Sequence, residues 1–250
     1  MAEPESLYQR TKKAGERIAY LPLESNPETF TELIQQLGVD GFEFQDIMSL
    51  DPELLDFVPR PVHALILTFP CRGDTWQESL DEREKHLSVY EGKGEDEPVV
   101  WFSQTIQNAC GLYAILHGLA NGIGRSHIRN GSPFDEFLKK AIPLGPEERA
   151  LALEASEDIK AIHTAAAQKG ASTIPDADDV DYHFICFAKS PKTNHVYELN
   201  GTAKGPIDSG TVSESDDLLT GESLELVRNY MKNAPDNVGF SLIGLVPASA

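Results

Sequence analysis

Cys110 stands six residues after Gln104 in the run Gln104-Thr105-Ile106-Gln107-Asn108-Ala109-Cys110-Gly111, at the mouth of the apolar stretch Leu112-Tyr113-Ala114-Ile115-Leu116-His117-Gly118-Leu119-Ala120. That stretch reads as a helix. A helix start offers unpaired backbone N–H groups and the positive end of the dipole, and both favour a thiolate, the nucleophilic form of cysteine. The same N–H groups, with the Gln104 amide as a second, neutral donor, could hold the negative oxygen that develops when sulfur attacks a carbonyl. These residue types point to acyl transfer through a thiol. A cysteine is also an ordinary small core residue, so the chemistry needs a base and a group that orients it.

His117 lies on the helical face of Cys110, but two turns of helix put it about 10.5 Å along the axis, beyond hydrogen-bond reach, so it is expected to be a packed helix residue. His183 is the better base. It sits in Asp181-Tyr182-His183-Phe184-Ile185-Cys186-Phe187-Ala188, a short apolar run that reads as a buried strand. A turn, Lys189-Ser190-Pro191-Lys192-Thr193-Asn194, and a second strand-like run, His195-Val196-Tyr197-Glu198-Leu199-Asn200, follow. Paired as a hairpin, the two runs would bring Asn200 back to His183. Its side-chain carbonyl could then accept from one imidazole nitrogen and leave the other facing the thiol.

Together with Leu21-Pro22-Leu23-Glu24-Ser25-Asn26-Pro27-Glu28, Asp51-Pro52-Glu53-Leu54-Leu55 and Val58-Pro59-Arg60-Pro61-Val62, the Cys110 run, the His183 strand and Tyr197-Glu198-Leu199-Asn200-Gly201 resemble the signature segments of the small ubiquitin C-terminal hydrolases, the thiol deubiquitinases. The resemblance runs from about residue 17 to about residue 247. Residues 1–16 thus read as an N-terminal extension and 17–248 as one catalytic domain. By resemblance, Cys110 is the nucleophile, Gln104 the oxyanion donor and His183 the general base and then acid. Asn200 occupies the His-orienting position, where the family normally has the aspartate of Glu-Leu-Asp-Gly. An amide lacks the charge that stabilises an imidazolium, so the thiolate–imidazolium pair should be less favoured. Leu112 is a second departure, because a small residue normally follows Cys-Gly.

The resemblance also implies that Pro22, Leu23, Glu24, Glu28 and Asp46 meet a basic, partly apolar surface of ubiquitin, and that Val180, Asp181 and Tyr182 flank its tail. The segment 169–179, polar and containing Gly170 and Pro175, would cross over the active site and limit the size of the leaving group. The implied fold is papain-like, with a knotted chain and no cofactor. The implied activity is hydrolysis of small or unfolded adducts from the C-terminal glycine of ubiquitin or, alternatively, of a ubiquitin-like protein. Two other classes stay open: a ubiquitin-binding module whose catalysis is weak or lost because of Asn200, and an unrelated Cys-His-Asn acyl or amine transferase.

Composition agrees with one core-bearing domain: 250 residues, 40% of them hydrophobic. No apolar stretch approaches the ~20 residues of a membrane span, and Met1-Ala2-Glu3-Pro4-Glu5-Ser6 lacks the apolar centre of a secretory signal. Cys71, Cys110 and Cys186 are odd in number and show no Cys-x-x-Cys spacing, which argues against a disulfide framework and against a zinc or other metal site. The expected compartment is reducing, the cytoplasm, with the nucleus as an alternative. Cys186 reads as core and Cys71 as exposed. A net charge of −19 argues against nucleic acid as a partner and favours a basic one. The chain is expected to act as a monomer.

The elements that must position these residues are legible in part. Asn26 suits an N-cap, Pro27 a first helical position, and Phe30, Leu33, Ile34 and Leu37 recur at helical spacing until Gly38. Strands are expected over 42–47, 61–69, 98–105, 183–187, 195–200 and 238–246. Helices are expected over 110–121, 134–142, 147–167 with a break, and 222–233. The segment 92–97 reads as a surface connection. The fold class predicted is α+β, a central, mainly antiparallel sheet covered by helices.

Overall fold

The computed structural model describes residues 5–15, 17–71, 74–170, 182–233 and 239–249. Strands β1 (Phe42–Asp46), β2 (Ala64–Pro70), β3 (Tyr182–Lys189), β4 (His195–Leu199), β5 (Ile207–Thr211) and β6 (Ser241–Pro247) form one sheet in the order β1-β6-β2-β3-β4-β5. Every neighbouring pair is antiparallel. The helices are α1 (Leu7–Ala14), α2 (Pro27–Leu37), α3 (Pro52–Leu55), α4 (Asp74–Glu84), α5 (Cys110–Gly122), α6 (Pro133–Ala141), α7 (Pro146–Glu154), α8 (Glu157–Ala167) and α9 (Gly221–Asn233). This is the α+β arrangement of an antiparallel sheet covered by helices.

The period of two along a strand divides the core between the two faces of the sheet. Ala64, Ile66, Phe184, Cys186, Ile243 and Leu245 turn to one side and pack with α2, α5, α6 and α8. Leu65, Leu67, Phe69, Ile185, Phe187 and Leu242 turn to the other, where Leu224 and Val227 of α9 cover them. β2 is buried on both sides, which is why its sequence is apolar at every position but Thr68 rather than alternating. Helix α5 is buried at every position from Cys110 to Leu119, as expected of a helix that is apolar all round. Its far end lies close to β2: a Cβ on Gly122 would come within 2.4 Å of the His63 carbonyl oxygen.

Three expectations need correction. First, 98–105 is not a strand and joins no ladder. Several of its backbone groups are taken by side chains instead: Asn121 brackets Val100 through its Oδ1 and Nδ2, His117 Nε2 accepts from Phe102 N, and Arg149 donates to Trp101 O. Polar backbone in a core must be paired somewhere, and here helices supply the partners. Second, 92–97 is not merely a surface connection, because Glu97 is buried and pairs with the fully buried Arg149 at 2.6 Å. Third, Cys71 is half-buried against the second core cluster. Helices α1, α3 and α4 and strand β5 were not anticipated, whereas the break expected within 147–167 is there, between α7 and α8.

Candidate active site

The first turn of α5 builds one half of the site. Ala109, the residue before the helix, has no side chain able to cap it, so the leading N–H groups stay available. Asn108 holds φ at 61°, in the left-handed region, a conformation Asn tolerates better than most residues, and turns the chain sharply into Cys110. Burial pushes the Cys110 thiol up to about 11. The backbone N–H groups of Phe184, Gly111 and Cys110 itself act in the opposite direction on the sulfur.

The other half is the β3–β4 hairpin. β3 and β4 pair from Cys186–Leu199 to Lys189–Val196, with Asn194 at φ 57° in the turn. His183 Nε2 lies 2.9 Å from Asn200 Oδ1. Since that oxygen only accepts, Nε2 carries the proton and Nδ1 keeps its lone pair. Burial pushes His183 down to about 4, against a smaller upward effect of the Asn200 hydrogen bond. Burial thus disfavours the charged form of each group, the thiolate of Cys110 and the imidazolium of His183. Phe69, paired across the ladder with His183, stands edge-on to the imidazole at 5.8 Å.

Gln104 belongs to both halves. Its backbone N–H donates to Gly201 O at 2.7 Å, and its Nε2 donates to Ile106 O at 3.1 Å, leaving the second N–H of that amide. Gly201 is required by this approach, because a Cβ there would lie 2.8 Å from Gln104 Cβ. Sequence reasoning missed Thr202, which donates both its N–H (3.0 Å) and its hydroxyl (2.9 Å) to Asn200 Oδ1. It also missed Trp101, whose Nε1 donates to Asn200 O. The Thr two positions after Asn200 was the available signal, since short Asn and Thr side chains habitually bond nearby backbone. His117 is fully buried and pushed down to about 3 by burial, accepting from Phe102 N, as expected of a packed residue.

The residues expected to meet a partner are spread over one flank. Glu28 and Asp46 are exposed and line a surface groove of about 600 Å³ with Glu32, Glu43, Thr31 and Gln45. Pro22 and Glu24 are half-buried. Leu23 is 5% exposed and packs on Gly111, where an added Cβ would lie 3.2 Å from Leu23 Cβ, so Leu23 supports the helix that carries Cys110 and offers little outer surface. Tyr182 is exposed at the start of β3. Val180, Asp181 and 171–179 of the crossover lie outside the described residues. At the near end of that segment Lys169 pairs with Glu32, and Gly170 lies against the Glu24 carboxylate. Among the described residues, no group of His, Cys, Asp and Glu side chains could hold a metal ion.

A model of the family described as ubiquitin carboxyl-terminal hydrolase, family 1, matches residues 20–232. A ubiquitin carboxyl-terminal hydrolase of Aplysia californica is 37% identical over 219 residues, covering 87% of this chain and 97% of that protein. The isozyme L1 of Equus caballus is 34% identical over 229 residues, covering 91% and 98%. The crystal structure of the Trichinella spiralis UCH37 catalytic domain bound to ubiquitin vinyl methyl ester is similar with a TM-score of 0.70 at 25% identity, covering 96% of this chain and all of that one.

Proposed function

Because the chain belongs to ubiquitin carboxyl-terminal hydrolase family 1, we propose that it is a thiol hydrolase which removes small or unfolded adducts from the C-terminal glycine of ubiquitin or a ubiquitin-like protein, with Cys110, His183, Asn200 and Gln104 as its machinery. Nδ1 of His183 takes the Cys110 proton as the sulfur attacks the glycine carbonyl. The oxyanion is held by the Cys110 N–H and the free N–H of Gln104. His183 then protonates the leaving amine, and water, deprotonated by the same imidazole, releases the acyl-enzyme and restores the thiol. Because burial disfavours the thiolate and the imidazolium alike, in this reading the proton moves during attack, with His183 as general base.

The observation that carries this reading is the 2.9 Å His183–Asn200 contact, with Thr202 donating twice to the same Asn200 oxygen and the Gln104 N–H bound to Gly201 O beside it. The acidic groove with Glu28 and Asp46 gives a basic partner a docking surface, and ubiquitin is the partner proposed for it. One observation favours the alternative of a ubiquitin-binding module with little catalysis: the orienting residue is uncharged, while the thiol is pushed up to about 11. Incubation with ubiquitin bearing a C-terminal electrophile, followed by intact-mass measurement, separates them. A covalent adduct mapped to Cys110 supports the hydrolase. Tight complex formation with no adduct supports the binding module.

A further inference from the structure

We propose that residues 6–15 and 17–20 form an intramolecular clasp on the active site, with Ser6 as a positioning residue that acts on Asn200 through Thr202. The inference rests on the hydrolase reading above and adds to it a part that lies before the matched family region, which begins at residue 20.

The clasp has two grips. At its start, Ser6 is 0% exposed and its hydroxyl donates to Thr202 O at 3.3 Å. The same residue is the N-cap of α1, accepting from Gln9 N and donating its own N–H to the Gln9 side chain, both at 3.2 Å. That reciprocal pair fixes the Ser6 geometry locally. Thr202 in turn gives both of its donors to Asn200 Oδ1, the oxygen that faces His183. Ser6, Thr202, Asn200 and His183 are therefore linked in series by hydrogen bonds.

At its end, Ile18 O accepts from Gln107 N at 2.8 Å and Tyr20 N donates to Gln107 O at 3.0 Å, a parallel bridge centred on Ala19 and Gln107. Arg17 Nε donates to Thr105 O at 3.2 Å. These contacts hold the stretch between Gln104 and the left-handed Asn108, on the other half of the site. Between the two grips, the Arg17 guanidinium lies 4.6 Å over the Tyr8 ring and folds α1 back on the segment that follows.

Helix α1 has eight residues and none of them is buried. A helix that short is not stable alone, and it gains no core burial here. Among the described residues, its hold on the domain consists of these contacts, the Arg10–Glu147 pair at 3.5 Å and the half-buried Leu7, Tyr8 and Gln9, so weakening the Ser6 grip should loosen the Asn200 loop without unfolding the sheet. The residues of that loop, 200–204, are all buried, and other anchors remain: Glu84 Oε1 accepts from Lys204 N and Tyr90 N donates to Lys204 O.

The test compares the full-length chain with Ser6→Ala and Ser6→Thr. A ubiquitin with a C-terminal fluorogenic amide reads kcat and KM, hydrogen exchange reads the amides of 202–204, and thermal melting checks the fold. Losing one positioning hydrogen bond should lower kcat of Ser6→Ala about fivefold, with KM changed by less than about twofold, and Ser6→Thr should recover most of it. Exchange at 202–204 should rise in Ser6→Ala only. Unchanged kcat and unchanged exchange in a folded Ser6→Ala would overturn the proposal, as would a loss confined to KM. Should Ser6→Ala not fold, Gln9→Ala, which keeps the hydroxyl but removes half of the cap, is read by the same criteria. If the parent chain itself hydrolyses nothing, the functional reading fails, and the exchange comparison alone still decides the clasp.

Discussion

Replacing Asn200 by Asp should raise turnover. Oδ1 of Asn200 takes three donors, His183 Nε2 at 2.9 Å, Thr202 N at 3.0 Å and Thr202 Oγ1 at 2.9 Å, while Nδ2 is buried with no hydrogen-bond partner. Such a site suits a carboxylate better than an amide. A negative charge about 4 Å from the imidazole, at an effective dielectric of about 20, stabilises an imidazolium by about 4 kcal/mol. Desolvating the carboxylate in a position that is 0% exposed takes back part of that. A net gain of about 1.5–3 kcal/mol corresponds to about 10- to 100-fold in kcat/KM and to a His183 pKa about one to two units higher. Hydrolysis of a fluorogenic ubiquitin amide reads the first. The pH dependence of iodoacetamide alkylation of Cys110 reads the second: the parent should react faster only toward alkaline pH, since its thiol is pushed up to about 11 and His183 down to about 4. The Asp variant should gain reactivity near neutrality. Each preparation must be verified by mass, because an Asn-Gly step such as Asn200-Gly201 is open to deamidation. Equal kcat/KM for the Asn, Asp and Ala proteins would show that this position does not orient His183.

Three other outcomes are expected. Glu24→Gln, Glu28→Gln and Asp46→Asn together should slow association with ubiquitin and flatten its salt dependence, because steering charges act on encounter rate; stopped-flow rates at low and high salt check this, and an unchanged salt slope would move the interface elsewhere. Glu84 is 1% exposed and burial raises its carboxyl from 4.5 to about 7, so the native state keeps a proton that the unfolded chain has released. Stability from this group is therefore greatest below about pH 4.5 and is lost as pH rises toward about 7, so Glu84→Gln, which retains an acceptor for Lys204 N–H, should be more stable than the parent by about 1–3 kcal/mol at pH 8 and similar at pH 4.5. Urea denaturation at both values reads the difference, and a gap that narrows with rising pH would contradict it. If the segment 169–179 crosses over the site as the resemblance implies, shortening it should leave turnover of small adducts similar and admit folded leaving groups, whereas an unchanged substrate range on both shortening and lengthening would remove its role as a size filter.

What was legible in the sequence was whatever its local chemistry decides. Asn26, Pro27, the Phe30-Leu33-Ile34-Leu37 spacing and Gly38 all agree on one helix, and the structure has it over Pro27–Leu37 with Asn26 Oδ1 accepting from Thr29 N and Gly38 at φ 97°. The separation of Asn200 from His183 follows from hairpin arithmetic alone, since two short apolar runs around an Asn-containing turn leave few registers. Long-range pairing was the hidden part. The 98–105 run has the composition of a strand, but its partners are side chains from α5 and α7 that no periodicity announces. Glu97 looks like a solvated loop residue until Arg149, 52 positions away, meets it in the core. Helix α1 buries nothing and carries no apolar stripe, and β5 is an edge strand of the sequence Ile207-Asp208-Ser209-Gly210-Thr211, poor in strand formers. Both depend on what they dock against.

The most direct measurement is covalent capture. Full-length protein, Cys110→Ala and Cys71→Ala are each incubated with ubiquitin carrying a C-terminal vinyl methyl ester, and intact mass and peptide mapping locate any adduct. The expected result is one ubiquitin added to the parent and to Cys71→Ala, joined at Cys110, and none added to a folded Cys110→Ala that still binds ubiquitin. An adduct that survives in Cys110→Ala, or a parent that binds ubiquitin and is never labelled, would contradict the assignment of Cys110 as the nucleophile of a ubiquitin hydrolase.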